Sequence, residues 1–155
     1  MGGIRQWVIR AGAAGLTLAL CGCGTSSNVL QPTNGSMTAT IDGSSFSANS
    51  IAATYLSGIL AIGGTDSQGR GIGIAAQVPG PGTFTVGVTS PANFSVTIGA
   101  AGWQAAITLG SGSVTVTSIS ATGAKGTFQF TAGPVPGTAA TGNKVVTAGA
   151  FDVTF

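Results

Sequence analysis

Residues 83–109 read TFTVGVTSPANFSVTIGAAGWQAAITL, and bulky side chains recur in them at every second position. Phe84, Val86 and Val88 form one series, Phe94, Val96 and Ile98 a second, and Trp103, Ala105, Ile107 and Leu109 a third. Thr85, Ser95, Thr97, Gln104 and Thr108 stand between them. A two-residue period puts alternate side chains on opposite faces of a strand, so each bulky series is expected to line a core. The interleaved set then forms a surface of hydroxyls rather than charges.

The same period runs outward in both directions. Met37, Ala39 and Ile41 alternate with Thr38 and Thr40, then Asp42-Gly43 interrupts before Phe46 and Ala48 resume. Asp-Gly between two alternating runs is a hairpin signal, because both turn positions need positive φ. Further runs are expected at Ile51–Leu56, Ile59–Gly63, Gly71–Val78, Ser113–Ile119, Lys125–Thr131, Lys144–Thr147 and Ala150–Phe155. Turn compositions separate them: Thr65–Gly69, Pro79–Gly82, Ser90-Pro91, Gly110–Gly112, Ala121–Ala124 and Gly133–Gly142. Phe128 and Phe130, then Phe151, Val153 and Phe155, place further bulky residues on single faces, with Gln129, Asp152 and Thr154 opposite. Short strands punctuated this way predict an all-β fold, an antiparallel β-sandwich or small barrel of about ten short strands.

Composition agrees. Gly, Ala, Ser and Thr account for 86 of 155 residues, and Gly, Ser and Thr are poor helix formers. Only 5% of residues are charged, against about 25% in an ordinary domain. The five bases are Arg5, Arg10, Arg70, Lys125 and Lys144, the three acids are Asp42, Asp66 and Asp152, and there is no Glu or His. A Ser–His–Asp site is therefore impossible, and no Ser-x-x-Lys occurs to replace it. The three aspartates fall in a tight turn, in a loop and on the outward phase of the last strand, so none is expected to form a catalytic carboxylate pair. Calcium binding calls for several acids within a dozen residues, and Asp66 has no acidic neighbour. The expectation is no catalytic residue, no metal ligand and no cofactor, hence no enzyme.

Two patterns invite a sharper reading and lose it. Gly64-Thr65-Asp66-Ser67-Gln68-Gly69-Arg70-Gly71 looks like a phosphate loop, but Arg70-Gly71 stand where Lys and Ser/Thr belong, and an apolar strand pattern follows instead of a helix. A hairpin turn is expected. Trp103 shares the phase of a core series, which removes it as an exposed sugar platform. Tyr55 lies in a run with apolar residues on both phases, so its direction stays open. Asn93-Phe94-Ser95 has the form of a glycosylation sequon and reads as chance.

The first residues are of another kind. Met1–Arg10 carries two arginines and no acid, and Ala11–Leu20 runs without a charge into Cys21-Gly22-Cys23. A basic start, a short apolar run and a small-residue exit describe a secretory signal peptide. The run is too short for a span, which needs about 20 apolar residues. Leu20-Cys21-Gly22-Cys23 resembles the lipobox of bacterial lipoproteins, which implies cleavage before Cys23 and lipidation of its thiol. Cys21 is the poorer candidate because bulky Leu20 precedes it, and a Cys21–Cys23 disulfide would be strained and would lose Cys21 on cleavage. The expected organisation is a signal peptide at 1–22, a flexible tether at 23–35 and one β domain at 36–155. The twelve residues Gly24–Gly35, mostly polar and without periodicity, span roughly 20 Å as a coil. Gly24 is not the Asp that resembles an inner-membrane retention signal, so the outer membrane is expected where two membranes exist.

Removing Arg5 and Arg10 leaves three bases against three acids. A neutral domain has no electrostatic reason to seek nucleic acid. The membrane, reached through lipid on Cys23, is the expected partner, together with a cell-surface protein or glycan.

Gly126-Thr127-Phe128-Gln129-Phe130 and Gly149-Ala150-Phe151-Asp152-Val153-Thr154-Phe155, with the opening Ala39–Ala48 hairpin, resemble an uncharacterised group of small bacterial all-β lipoproteins. That resemblance implies fold and location but no activity. Two functions are expected to compete: a non-catalytic structural or interaction role at the cell surface, and a ligand-binding module for a carbohydrate or small apolar ligand.

Overall fold

The computed structural model describes residues 34–88 and 91–155. Among them there is no helix. Eleven antiparallel strands form one continuous sheet that curls over on itself as a half-barrel. They are β1 (Gly35–Ile41), β2 (Ser44–Ser47), β3 (Ser50–Leu56), β4 (Ile59–Thr65), β5 (Arg70–Gln77), β6 (Gly82–Thr85), β7 (Ala92–Ile98), β8 (Ala101–Ala105), β9 (Gly110–Ile119), β10 (Gly123–Pro134) and β11 (Lys144–Thr154). One half runs β3-β4-β5-β7-β8 and the other β2-β1-β11-β10-β9-β6. They join where Gly133 and Pro134, the last residues of β10, pair with Gln104 and Trp103 of β8.

Alternation places the core between the halves. Ile51, Leu60, Ile62, Ile72, Ile74, Phe94 and Val96 point in from the first half. Met37, Ile41, Phe46, Val114, Val116, Phe128, Phe130, Val146, Phe151 and Val153 meet them from the second. The halves touch through aromatic rings: Phe94 stacks on Phe130 with centroids 4.8 Å apart, and Tyr55 on Phe155 at 6.0 Å. Ring pairs in this range add about 0.5–1.5 kcal/mol beyond the area they bury.

The two glycine–phenylalanine motifs explain one another. In the β10–β11 ladder Gly126 stands opposite Phe151 and Phe128 opposite Gly149. A Cβ on Gly126 would come 2.8 Å from the Phe151 ring, and one on Gly149 would come 2.5 Å from the Phe128 ring. Each motif thus supplies the bare backbone over which the other motif lays its ring. The Asp42-Gly43 turn forms as expected, with φ of 48° and 83°.

The structure corrects several strand boundaries. The expected Trp103–Leu109 strand ends at Ala105, because the Ala106 carbonyl accepts the amides of Leu109 and Gly110 and turns the chain. Ile107 is left exposed on that corner and Leu109 half-buried. Gly110–Gly112, expected as a turn, opens β9 instead and pairs with Ala132, Thr131 and Phe130. β6 ends at Thr85, so Val88 leaves the sheet and is exposed. The runs Lys144–Thr147 and Ala150–Phe155 fuse into β11 through a bulge at Ala148, whose φ is 49°. The extra residue reverses the inward phase, so Val146 and Phe151 both face the core despite their odd spacing. Phe155 packs against the core but stays half-buried.

Three substitutions test this packing. Phe151→Ala is expected to cost about 3–5 kcal/mol by opening a cavity. Asp152→Ala, in an exposed pair with Lys125, should change stability by less than about 1 kcal/mol. Removing a strand glycine ordinarily gains about 0.5–1 kcal/mol, but overpacking costs about 1–3, so Gly149→Ala should destabilise. Denaturant unfolding measures all three. Equal losses at 151 and 152, or a stabilised Gly149→Ala, would overturn the assignment.

Candidate functional site

Cys23, the 1–22 targeting segment and the tether up to residue 33 lie outside the described residues. The other candidates are placed. Asp66 and Arg70 bracket a hairpin turn between β4 and β5, as expected, and no helix follows to hold a phosphate. The Asp66 carboxylate accepts the amides of Gln68 and Arg70, each at 2.9 Å, and the Arg70 guanidinium at 2.7 Å. Arg70 then reaches the Ser45 carbonyl in β2, tying this turn to the other half.

The other two acids are paired as well. Asp42 accepts Lys144 Nζ at 2.7 Å and the Val145 amide at 2.8 Å, so the β1–β2 turn is fastened to the start of β11. Lys144 Nζ also lies 4.9 Å from the centre of the Trp103 ring. Lys125 and Asp152 face one another across β10 and β11 at 2.9 Å. Every charged side chain among the described residues therefore has an opposite partner, and the carboxylates sit in three separate places rather than together.

The Lys144–Asp42–Trp103 cluster escapes sequence reading, because its members lie far apart in the chain and no local period links them. The one trace is the three-to-three charge balance.

Both aromatic candidates are engaged inside. Trp103 is buried, and its indole N–H donates to the Gly142 carbonyl at 2.9 Å. Tyr55, whose direction the sequence leaves open, points inward with Ile51 and Ala53. Its ring lies on Phe155, and its hydroxyl donates to the Val78 carbonyl at 2.8 Å.

What remains for contact is the pair of outer faces. On the first half, Ala52, Gly63, Gly73, Ser95 and Gln104 stand in one row across β3, β4, β5, β7 and β8. A solvent-open groove of about 330 Å³ runs there, with Ala61, Ala75 and Asn93 beside it. On the second half, Ser113, Thr115, Thr127, Gln129, Ala148 and Ala150 line a groove of about 400 Å³ over the β11 bulge. Both floors are amides, hydroxyls and small side chains. They offer hydrogen bonds and close approach, with no group to transfer a proton near neutral pH.

A family model described as a domain of unknown function (DUF6252) matches residues 33–153. No curated protein and no solved structure matches the chain.

Acid pH should act through two of the ion pairs. Hydrogen bonds from Lys144 and the Val145 amide lower the Asp42 pKa below the ordinary 3.8. At Asp66 burial pushes the value up, but the Arg70 and Gln68 donors outweigh it and the pKa is again lowered. Folded carboxylates that hold protons less tightly contribute stability that is complete above the unfolded value and is lost as pH falls through the folded one. Asp66→Asn is therefore expected to be less stable than the parent at pH 7, with the gap closing as pH falls from about 5 through the lowered folded pKa of Asp66. Thermal unfolding across that range checks it, and a gap that widened in acid would contradict the assignment.

Proposed function

This chain belongs to the DUF6252 family of unknown function, and from that starting point we propose that it is a lipid-anchored cell-envelope protein. Its role is non-catalytic, in structure or interaction at the cell surface, and where two membranes exist its site is the outer one. The observation that carries this reading is Leu20-Cys21-Gly22-Cys23 at the end of an uncharged run behind a basic start. Alkylation of the Cys23 thiol by a diacylglyceryl group supplies two chains, enough for stable anchoring where one chain is marginal.

The domain suits that placement. Its charges neutralise one another in pairs, which leaves the hydroxyl and amide faces as its means of contact. From Gly71 to Ala124 there is no ionisable side chain at all, and the whole chain lacks histidine. General acid–base chemistry near neutral pH has nothing here to work with. Partner recognition then rests on shape and hydrogen bonding across flat strands, with a cell-surface protein or glycan as the partner class. A glycan would meet hydroxyls and amides, since Tyr55 and Trp103 are turned inward.

Mass spectrometry of the protein from native membranes is the test. The expected N-terminal peptide begins at acylated Cys23, and Cys23→Ala should accumulate as an unacylated precursor. A native chain that begins elsewhere and carries no lipid would overturn the proposal.

A further inference from the structure

Two large apolar side chains stand side by side in water at one hairpin tip. Leu56 closes β3 and Ile59 opens β4, they face one another in the ladder, and they are 67% and 53% exposed. Val88, Ile107 and Val145 are exposed as well, but each stands on a different segment, which is ordinary for a surface. The β3–β4 tip is a tight turn of Ser57 and Gly58, both with positive φ, which sets Leu56 and Ile59 together as a small apolar wedge. It is braced from behind, where the Val78 amide donates to the Gly58 carbonyl at 2.6 Å and Tyr55 is bonded to Val78.

The position of this tip gives it meaning. Asn34 is where the chain from Cys23 enters the fold, and its carbonyl accepts the Thr154 amide and hydroxyl at 3.0 and 2.9 Å. The next residue, Phe155, lies on the ring of Tyr55, and Tyr55 immediately precedes Leu56. The entry point and the apolar wedge thus share one end of the molecule. Ten residues separate Cys23 from Asn34, a reach of at most about 40 Å even when fully extended. No charged residue occurs between Asn49 and Thr65 or between Gly71 and Ala124, so immersing the wedge removes no charge of those segments from water.

We infer that the Leu56–Ile59 hairpin docks into the lipid surface that holds the anchor, so that the domain stands with its entry end down and its outer faces upright. This inference rests on the lipid anchor proposed above. The occupant is a lipid surface because the tether ends beside the wedge, and because two neighbouring exposed aliphatic side chains suit the interface between headgroups and acyl chains.

The test places an environment-sensitive fluorophore at Ser57→Cys in the acylated full chain, where Cys23 is capped and Cys21 has left with the signal peptide. The control site is Ser67→Cys, in the turn at the far end of β4. In phosphatidylethanolamine–phosphatidylglycerol vesicles carrying doxyl-labelled lipids, the label at 57 is expected to be quenched and the label at 67 to stay bright. Leu56→Ser with Ile59→Ser should restore brightness at 57 while the protein stays on the vesicles. Acylated protein that remains bound with both sites equally bright would overturn the docking and leave the anchor standing.

If mass spectrometry instead shows Cys23 unmodified, the anchor fails and the tip is tested by itself. The full chain with Cys21→Ser and Cys23→Ser is then mixed with the same vesicles. Quenching at 57 that Leu56→Ser and Ile59→Ser weaken by about tenfold or more in lipid concentration, the scale set by burying one such side chain, supports the docking. Unquenched label there overturns it. Concentration-dependent shielding at 57 without vesicles would assign the tip to a second copy of the chain and overturn it equally.

Discussion

Two glycine–phenylalanine pairs, crossed between β10 and β11, hold the place on which the rest of the fold depends. Phe151 lies over Gly126 and Phe128 over Gly149, so both rings drop onto bare backbone and the two strands approach without a competing side chain. From there aromatic contacts run through the core. Phe151 meets Phe128 at 6.5 Å, Phe128 meets Phe130 at 6.3 Å, and Phe130 meets Phe94 of the opposite half at 4.8 Å. The central ladder of one half is thereby coupled to the middle of the other. The bulge at Ala148 belongs to the same device, since the reversal of phase keeps Val146 in the core below the crossed pairs.

Polar contacts play a different part. Two of the ion pairs, Lys125–Asp152 and Lys144–Asp42, lie at the surface, where each is worth little by itself, whereas Asp66–Arg70 is largely buried. Two of them fasten segments distant in sequence. Asp42 clasps the start of β11 through Lys144 and the Val145 amide, and Arg70 holds both Asp66 and the Ser45 carbonyl of β2. Their larger consequence is a surface without net charge, because each charge is met by its opposite.

The free edges of the sheet fit this picture. β2 and β6 are only four residues long, and short edge strands limit unwanted pairing. β3 is the long free edge, seven residues without a charge, and it leads directly to the apolar tip. The entry of the chain at Asn34, the long edge and the tip therefore share one region, whereas the Asp66 turn lies at the far end of β4.

Much of this was readable from residue order, for a physical reason. A strand exposes its two faces alternately, so Phe94-Ser95-Val96-Thr97 declares both the strand and its inward side, and Asp42-Gly43 declares its turn through the positive φ that few other pairs accept. The poverty in charge, the basic start with its apolar run and the lack of histidine are properties of composition and position, and they need no fold. Three-dimensional structure decided whatever depended on contact between distant segments. It bent the chain at Ala106 and so left Ile107 outside, because the carbonyl of Ala106 captured two amides before the alternation had run out. It joined two runs into β11 through an extra residue that no two-residue period foretells. It turned Tyr55 inward by offering a carbonyl at Val78, 23 residues further along the sequence, and a ring at Phe155 at the far end of the last strand. Local order sets periods and turns, but only packing between the two halves settles which surfaces remain outside, since each half must find its cover in the other.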